Sequence, residues 1–445
     1  MRHTLDVAFF LLLLLGAVLL GHLISVQPLG FPVYFIVGFF AVILSIYDIR
    51  IAIGFLAISM LFSPEITLAE VPARAVVVRF DDLILILIFI VWIAKMAINK
   101  KIPLIKATPI NNYIYFYMAA CVLFTGKGAV LGDVNFKKAA FYLLKYLEYF
   151  IVFWMTYNVI EKKKDVNILL SFATLTALAI IVYGYTQINT IVSAPFDREP
   201  GSLGGYFIIL LGISLGIFMY HKSSIAKMFA LSVFVLIIPL LIKAQSRASY
   251  LAFIVMYFMI IVLTKRFRKT LIGGAALLVL AIPYVFGKID IFEQIELYQT
   301  LKERVSYTFS GGYGVLDLEP SAAARIITWQ RGMLRDWPKR PLTGWGITGR
   351  GFIDSQYVRT AVELGLIGFG AFLLLLYKIW DECMKVFDSL EMDWKKGMVV
   401  GFVAAFIGLL FHAITTNTFI IVRIMEPFWF ILAIILAFPK LEEAK

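Results

Sequence analysis

The sequence is short of charge and of the residues that hold metals. Charged residues make up 16% of the 445, against about a quarter in soluble globular chains. There are four histidines (His3, His22, His221, His412) and two cysteines (Cys121, Cys383). No HxxxH or HExxH spacing occurs, and both cysteines fall in or beside apolar segments. The pattern therefore offers neither a metal site nor a disulfide framework, and it implies no cofactor. No internal repeat and no low-complexity segment is visible. Alternating apolar and polar residues, the mark of a membrane barrel, are missing as well.

What fills the chain is hydrophobic. Hydrophobic residues reach 61%, and mean hydropathy is +0.89. Apolar runs of about 20 residues match the thickness of a bilayer core at 1.5 Å rise per residue. Only helices and closed barrels satisfy their backbone inside lipid. The expected fold class is therefore an all-α polytopic membrane protein. The first run, about Leu5–Val26, follows Arg2 and His3 and resembles a signal peptide. It is longer than an h-region and no small-x-small cleavage site follows it, so it reads as a retained first helix. Further runs lie near 31–47, 51–63, 83–98, 110–125, 139–160, 167–188, 204–220, 228–243, 249–264, 270–287, 356–378, 398–415 and 418–438. The short second and third runs leave the expectation at 12–14 spans.

Net charge is +12. In a polytopic chain this reflects basic cytoplasmic loops and does not point to nucleic acid. Basic clusters occur at Lys95/Lys100/Lys101/Lys106, Lys162–Lys164, Lys222/Lys227, Lys265/Arg266/Arg268/Lys269 and Lys395/Lys396. With 14 spans and a cytoplasmic N-terminus, every cluster falls on the cytoplasmic side. Both termini are then cytoplasmic, and the polar interval from about Lys288 to Asp354 is external. Three units follow: an N-terminal bundle at 1–287 with about 11 spans, a loop domain at 288–355, and about three C-terminal spans at 356–445.

The external interval divides by charge. Residues 288–320 carry three basic and six acidic side chains, whereas 325–350 carry six basic and one acidic, Asp336. The spacing in DIFEQIELYQTLKERVSYTF predicts an amphipathic helix at the membrane surface, ended by SGGYG. A second helix is expected from an N-cap at Ser321 to a stop before Pro338. It places Arg325, Thr328/Trp329 and Gly332 on one face. PLTGWG supplies Pro341, Gly344 and Gly346 for a tight turn. Loop cations such as Arg331, Arg335, Lys339 and Arg340 are ordinarily solvated; Arg325, sharing a face with Trp329, stands out.

Other polar residues carry two readings each. Arg247, in KAQSRASYL, sits at the mouth of a helix, where it either snorkels to headgroups or holds a phosphate with its two-pronged guanidinium. Arg198 and Glu199 precede a glycine-rich helix opening, either a plain turn or an anion site. Asp354 lies just outside the membrane and is a candidate base. Gln356, Tyr357, Arg359 and Glu363 follow in the first turns of the next helix, and Arg359 and Glu363 can pair four apart. Lys145 with Glu148, and Arg423 with Glu426, read as pairs inside the bundle. Asp81 and Asp82 beside Arg79 read as helix caps or as the lining of an external cavity. Trp329, Trp337 and Trp345 can stack on sugars or belong to an interface belt.

The order of these features resembles the O-antigen ligase and O-antigen polymerase superfamily of bacterial envelope enzymes. The resemblance rests on Ser246-Arg247 opening a helix, then on Arg325, Trp329, Pro341, Leu342, Gly344 and Gly346 in a long external loop. It continues with Asp354, Gln356 and Tyr357 and with Glu363, Gly365 and Gly368 in ExGxxG. The motifs cover roughly residues 196–370. The resemblance implies a GT-C-like, metal-independent and inverting glycosyltransferase of the bacterial inner membrane, with a periplasmic active site. Its donor would be a glycan on undecaprenyl diphosphate. Its acceptor would be a lipid-linked repeat or lipid A-core, as in polysaccharide and lipopolysaccharide biosynthesis. Arg247 and Arg325 would bind the departing diphosphate and Asp354 would serve as base. Arg198, Trp329, Gly344, Gly346, Gln356, Tyr357 and Glu363 would bind substrate. Ligases of the group often carry His-Asn before the tyrosine helix; Asp354-Ser355-Gln356-Tyr357 departs from that, which tilts the reading toward a polymerase. The rival from another class is a transporter or flippase of lipid-linked anionic sugars. Such proteins tend to show internal repeats, and none is seen here.

Overall fold

A computed structural model describes residues 30–69, 76–98, 103, 105–196, 199–265, 267–273, 275 and 320–443. The expected helix at Leu5–Val26, the amphipathic segment before SGGYG and most of the run 270–287 lie outside the described residues.

The described chain is helical almost throughout. In order come α1 (Gly30–Tyr47), α2 (Ile49–Phe62), α3 (Phe80–Ile98), α4 (Asn111–Val130), α5 (Phe136–Val159), α6 (Lys163–Thr186), α7 (Pro200–Tyr220), α8 (Ser224–Lys243) and α9 (Arg247–Leu263). After the interval come α10 (Pro320–Gln330), α11 (Gln356–Ser389), α12 (Trp394–Thr415) and α13 (Val422–Glu443). One element was not expected. A two-stranded antiparallel hairpin, β1 (Glu65–Ala69) and β2 (Val76–Arg79), joins α2 to α3. Ile66, Thr67, Val76, Val77 and Val78 supply the β-branched residues that suit paired strands.

Seven described helices are long and apolar enough to cross a membrane: α4, α6, α7, α8, α11, α12 and α13. Shorter apolar helices lie at Ile36–Tyr47, Ile49–Phe62 and Arg247–Leu263. The chain is thus a multi-pass helical membrane protein in architecture. α7, α12 and α13 form its centre, each with more than three quarters of its most apolar stretch buried. They meet closely because small residues line the contact. An added Cβ at Gly212 would lie 2.3 Å from the Gly401 carbonyl oxygen, and one at Gly216 would lie 2.0 Å from that of Gly397. Without side chains at these steps the backbones themselves touch, the usual device where lipid gives helices no hydrophobic reason to associate.

The bundle has two ends, and charge separates them. At one end Lys95 donates to the Ser45 carbonyl, Arg50 pairs with Asp48 and Asp165, and Lys106 donates to Asn158. Lys395 pairs with Glu442 there, beside Lys163. The described members of the basic loop clusters thus gather at this end. The other end holds the α4–α5, α6–α7 and α8–α9 turns, the described part of the polar interval (320–354) and the α12–α13 turn. These are tied by contacts such as Val192 N to Lys243 O at 3.1 Å, Lys127 Nζ to Thr343 Oγ1 at 2.5 Å and Asn417 Nδ2 to Ile353 O at 2.9 Å.

Candidate functional site at the loop end

The site is built from the second half of the polar interval. α10 begins at Pro320, one residue before the expected cap, and runs helically through Gln330. It then widens into a π-helical turn, Arg331–Asp336, and tightens into a 3-10 turn at Trp337–Lys339. Pro338, with no amide to donate, falls inside that 3-10 turn, past the end of the regular helix. A π turn rotates the following side chains off the regular face and often accompanies a functional site.

The PLTGWG turn then locks onto α11. Trp345 N donates to Val362 O at 3.1 Å and Gly346 N to Glu363 O at 2.7 Å. In return Leu366 N donates to Pro341 O at 2.7 Å and Ile367 N to Leu342 O at 3.1 Å. An unbroken helix would keep all four groups to itself. α11 is broken at Gly365, whose φ of 63° and ψ of −170° lie far from helical values. The turn and the break are one device. Gly344 and Gly346 have φ of 62° and 87°, and a Cβ on Gly344 would lie 2.3 Å from Glu363 O. L-residues with side chains seldom take such angles. The sequence reading took ExGxxG as part of one continuous helix; here its first glycine is the interruption. A second grip comes from α4 and the turn after it. Ile347 N donates to Thr125 Oγ1 at 3.1 Å, and Arg340 pairs with Asp133.

On this platform Arg325 and Asp354 come together. Arg325 Nε donates to Asp354 Oδ2 at 2.8 Å, with side chains 30% and 25% exposed. Both are therefore reachable from outside the bundle. The pair uses Nε alone, so the two terminal guanidinium nitrogens have no partner among the described residues. Trp329 Nε1 donates to the Asp354 carbonyl at 3.2 Å, so the α10 face expected to carry Arg325 and Trp329 is the face that meets Asp354.

The remaining candidates fall around this pair. Gln356 Oε1 accepts from Phe419 N at 3.1 Å, and Tyr357 Oη donates to Leu410 O at 2.7 Å. Both are turned into the bundle. Glu363 is buried; it pairs with Arg359 at 3.1 Å and accepts from Thr348 N at 2.9 Å. Gly344 and Gly346 are buried in the clamp. Arg198 lies outside the described residues. Arg247 opens α9 at this same end, with Ser246 as N-cap accepting from Ser249 N. The glycine-rich start of α7 has a steric purpose here, since a Cβ at Gly204 would strike Ser249 Oγ at 2.2 Å.

Sequence reasoning missed the contacts that join the start of α9 to the start of α11. Ser249 Oγ sits 3.2 Å from His412 Nε2, and His412 Nδ1 sits 2.8 Å from Thr418 Oγ1. The neighbouring Asn417 donates to Ile353 O, next to Asp354. A lone histidine in an apolar helix gave no sign of this. The NTF tripeptide at 417–419, polar residues between two long apolar runs, was the available signal.

Around the pair lies a basic face. Arg340 and Arg350 stack on Trp345, with guanidinium carbons 4.1 and 3.5 Å from the ring centroid. Arg331, Arg335 and Arg350 surround the buried Asp336 at 3.8–3.9 Å. Several cations facing one buried carboxylate leave an excess of positive charge, suited to an anion. No protein-family model and no curated protein matches the chain.

Proposed function

We propose that the chain is a membrane glycosyltransferase that moves a glycan from a polyprenyl diphosphate, such as undecaprenyl diphosphate, onto an acceptor hydroxyl at the loop end of the bundle. The observation that carries this reading is the Arg325–Asp354 pair, half open at a bundle mouth where Arg247 also begins a helix. A reaction that expels diphosphate needs cations where charge grows and a carboxylate to take a proton. In the proposed step the acceptor oxygen forms a bond to the anomeric carbon. The bond from that carbon to the diphosphate oxygen breaks, with inversion, and the electron pair leaves on the diphosphate. The hydroxyl proton passes to Asp354. Arg325 and Arg247 stabilise the leaving charge, most strongly in the transition state.

The order of motifs supports the O-antigen polymerase or ligase type, with the polymerase slightly favoured. A lipid-linked repeat or lipid A-core would be the acceptor. Gathering of the basic loops at the opposite end supports a cytoplasmic side there and a periplasmic site here. The test is direct. Purified protein in lipid, given an undecaprenyl-diphosphate-linked repeat with or without lipid A-core, should lengthen the glycan or move it to the core. Absence of both products, with folded protein and intact donor, overturns the reading. The second reading is a transporter of lipid-linked anionic sugars. Charged side chains buried between α3, α5 and α13 favour it, since such groups often line transport paths. Donor movement across sealed vesicles without any new glycosidic bond would select it.

A further inference from the structure

Three helices bring charged side chains together inside the bundle, toward its loop end. β2 and α3 carry Arg79, Asp81 and Asp82; α5 carries Lys145 and Glu148; α13 carries Arg423 and Glu426. Read locally, Lys145 with Glu148 and Arg423 with Glu426 form pairs three residues apart. In the fold the partners are shared more widely. Arg79 pairs with Asp81, and Lys145 bridges Asp82 and Glu148. Arg423 Nη2 approaches the carbonyls of Ser63 and Pro195 at 3.4 and 3.3 Å. The nearby hydroxyl of Tyr149 is committed to Phe419 O at 3.3 Å.

Glu426 is the exception. It is 0% exposed, and among the described residues neither carboxyl oxygen has a hydrogen-bond donor. Close to it lies another acceptor, the Asp81 carboxyl, also 0% exposed. Asp82 and Glu148 face each other too, but Lys145 bonds to both. Among the described residues no ion pair bridges Asp81 and Glu426 in this way. Two carboxylates cannot bond to each other unless a proton lies between them. A buried carboxylate with no donor costs several kcal/mol and takes up a proton instead. Charge gives the same answer. Among the described residues the cluster holds three cations (Arg79, Lys145, Arg423) and four carboxylates (Asp81, Asp82, Glu148, Glu426), an excess of one negative charge that one proton removes. A metal ion is not the natural occupant, because among the described residues no three His, Cys, Asp or Glu side chains are placed to hold one.

We propose that Glu426 is a proton-binding site: its carboxyl is protonated at neutral pH and donates to Asp81, whose charge is held by Arg79. The bound proton joins α13 to α3, and its release leaves one uncompensated negative charge in the bundle. This holds whichever reaction the loop end performs.

The test uses the full chain in lipid nanodiscs, as wild type and as Glu426→Gln. Infrared difference spectra at neutral pH should show a protonated-carboxyl C=O band in wild type that E426Q lacks. Because one neutral group replaces another, E426Q should fold with an unchanged melting temperature. As pH rises, wild type should lose both the band and thermal stability, and E426Q should not follow. A missing band in wild type overturns the proposal. So does an E426Q protein that fails to fold or melts lower at neutral pH, since that is the signature of a lost charge. Asp81→Asn is the second variant: it removes one of the four carboxylates, so the three cations then balance the remaining three, and the protonated-carboxyl band should be lost or shifted; an unmoved band would show that Glu426 does not donate to Asp81.

Discussion

Arg325 Nε donates to Asp354 Oδ2 at 2.8 Å across 29 residues of chain. The contact joins α10 to the residue just before the N-cap of the spanning helix α11. It fixes the carboxylate through one nitrogen and leaves the guanidinium fork to meet a ligand. A pair that served only to hold the fold would be expected deeper in the bundle, where Arg359–Glu363 lies.

This exposure sets the first prediction. Arg325→Ala and Asp354→Asn should each fold with little change, because exposed pairs contribute about 0.2–1 kcal/mol. Transfer activity should nonetheless fall, by about 10²–10³-fold for the arginine and about 10²–10⁴-fold for the carboxylate. The double variant should be no worse than the weaker single one. Thermal melts and glycan transfer, measured side by side, decide this; parallel loss of both would make the pair structural.

Much of this architecture was legible because apolar runs and basic loops are dictated by the bilayer. The face that joins Arg325 to Trp329 was legible from helical spacing. The β1–β2 hairpin was not, its strands being only five and four residues long, nor was the break at Gly365, which depends on the Pro341–Gly346 turn. A glycine in an apolar run reads as ordinary helix until the turn that claims Val362 O and Glu363 O is in place. The charged cluster at Glu426 was hidden for the same reason: spacing finds neighbours three or four apart, not neighbours on three helices.

Gly365→Ala tests the clamp. The left-handed backbone alone costs an L-residue about 1–2 kcal/mol, and the new Cβ would press on the Leu342 carbonyl carbon at 2.4 Å. Stability should fall by at least that amount, and the Pro341–Gly346 turn should become sensitive to protease. Gly370→Ala, which meets open space, is the control and should be silent.

Sidedness can be read with thiol labels. The two native cysteines, Cys121 and Cys383, are buried. Leu334→Cys lies on the exposed loop face, and Lys164→Cys lies exposed at the basic end. In intact cells stripped of their outer membrane, an impermeant maleimide should label Leu334→Cys alone. Labelling of Lys164→Cys alone would invert the topology and put the site in the cytoplasm.

Contacts through His412 join the start of α9 to the backbone beside Asp354, and substitutions at His412 and at Arg247 should fail differently. His412 is fully buried and touches no exposed surface, so it acts as a positioning residue. Its removal takes a partner from the Thr418 hydroxyl, while Ser249 keeps its bond to Ser246 Oγ, and an unsatisfied buried polar group costs about 1–3 kcal/mol. His412→Ala should therefore lower the melting temperature together with transfer. Arg247→Lys keeps a cation at the start of α9 but loses the fork that grips two oxygens at once. It should leave the melting temperature in place, raise KM for the lipid-linked donor and lower kcat by about tenfold or more, roughly one charged hydrogen bond of 1.5–3 kcal/mol. If Arg247→Lys were fully active while His412→Ala was not, the chain of contacts would matter to the bundle alone, and diphosphate binding would rest on Arg325.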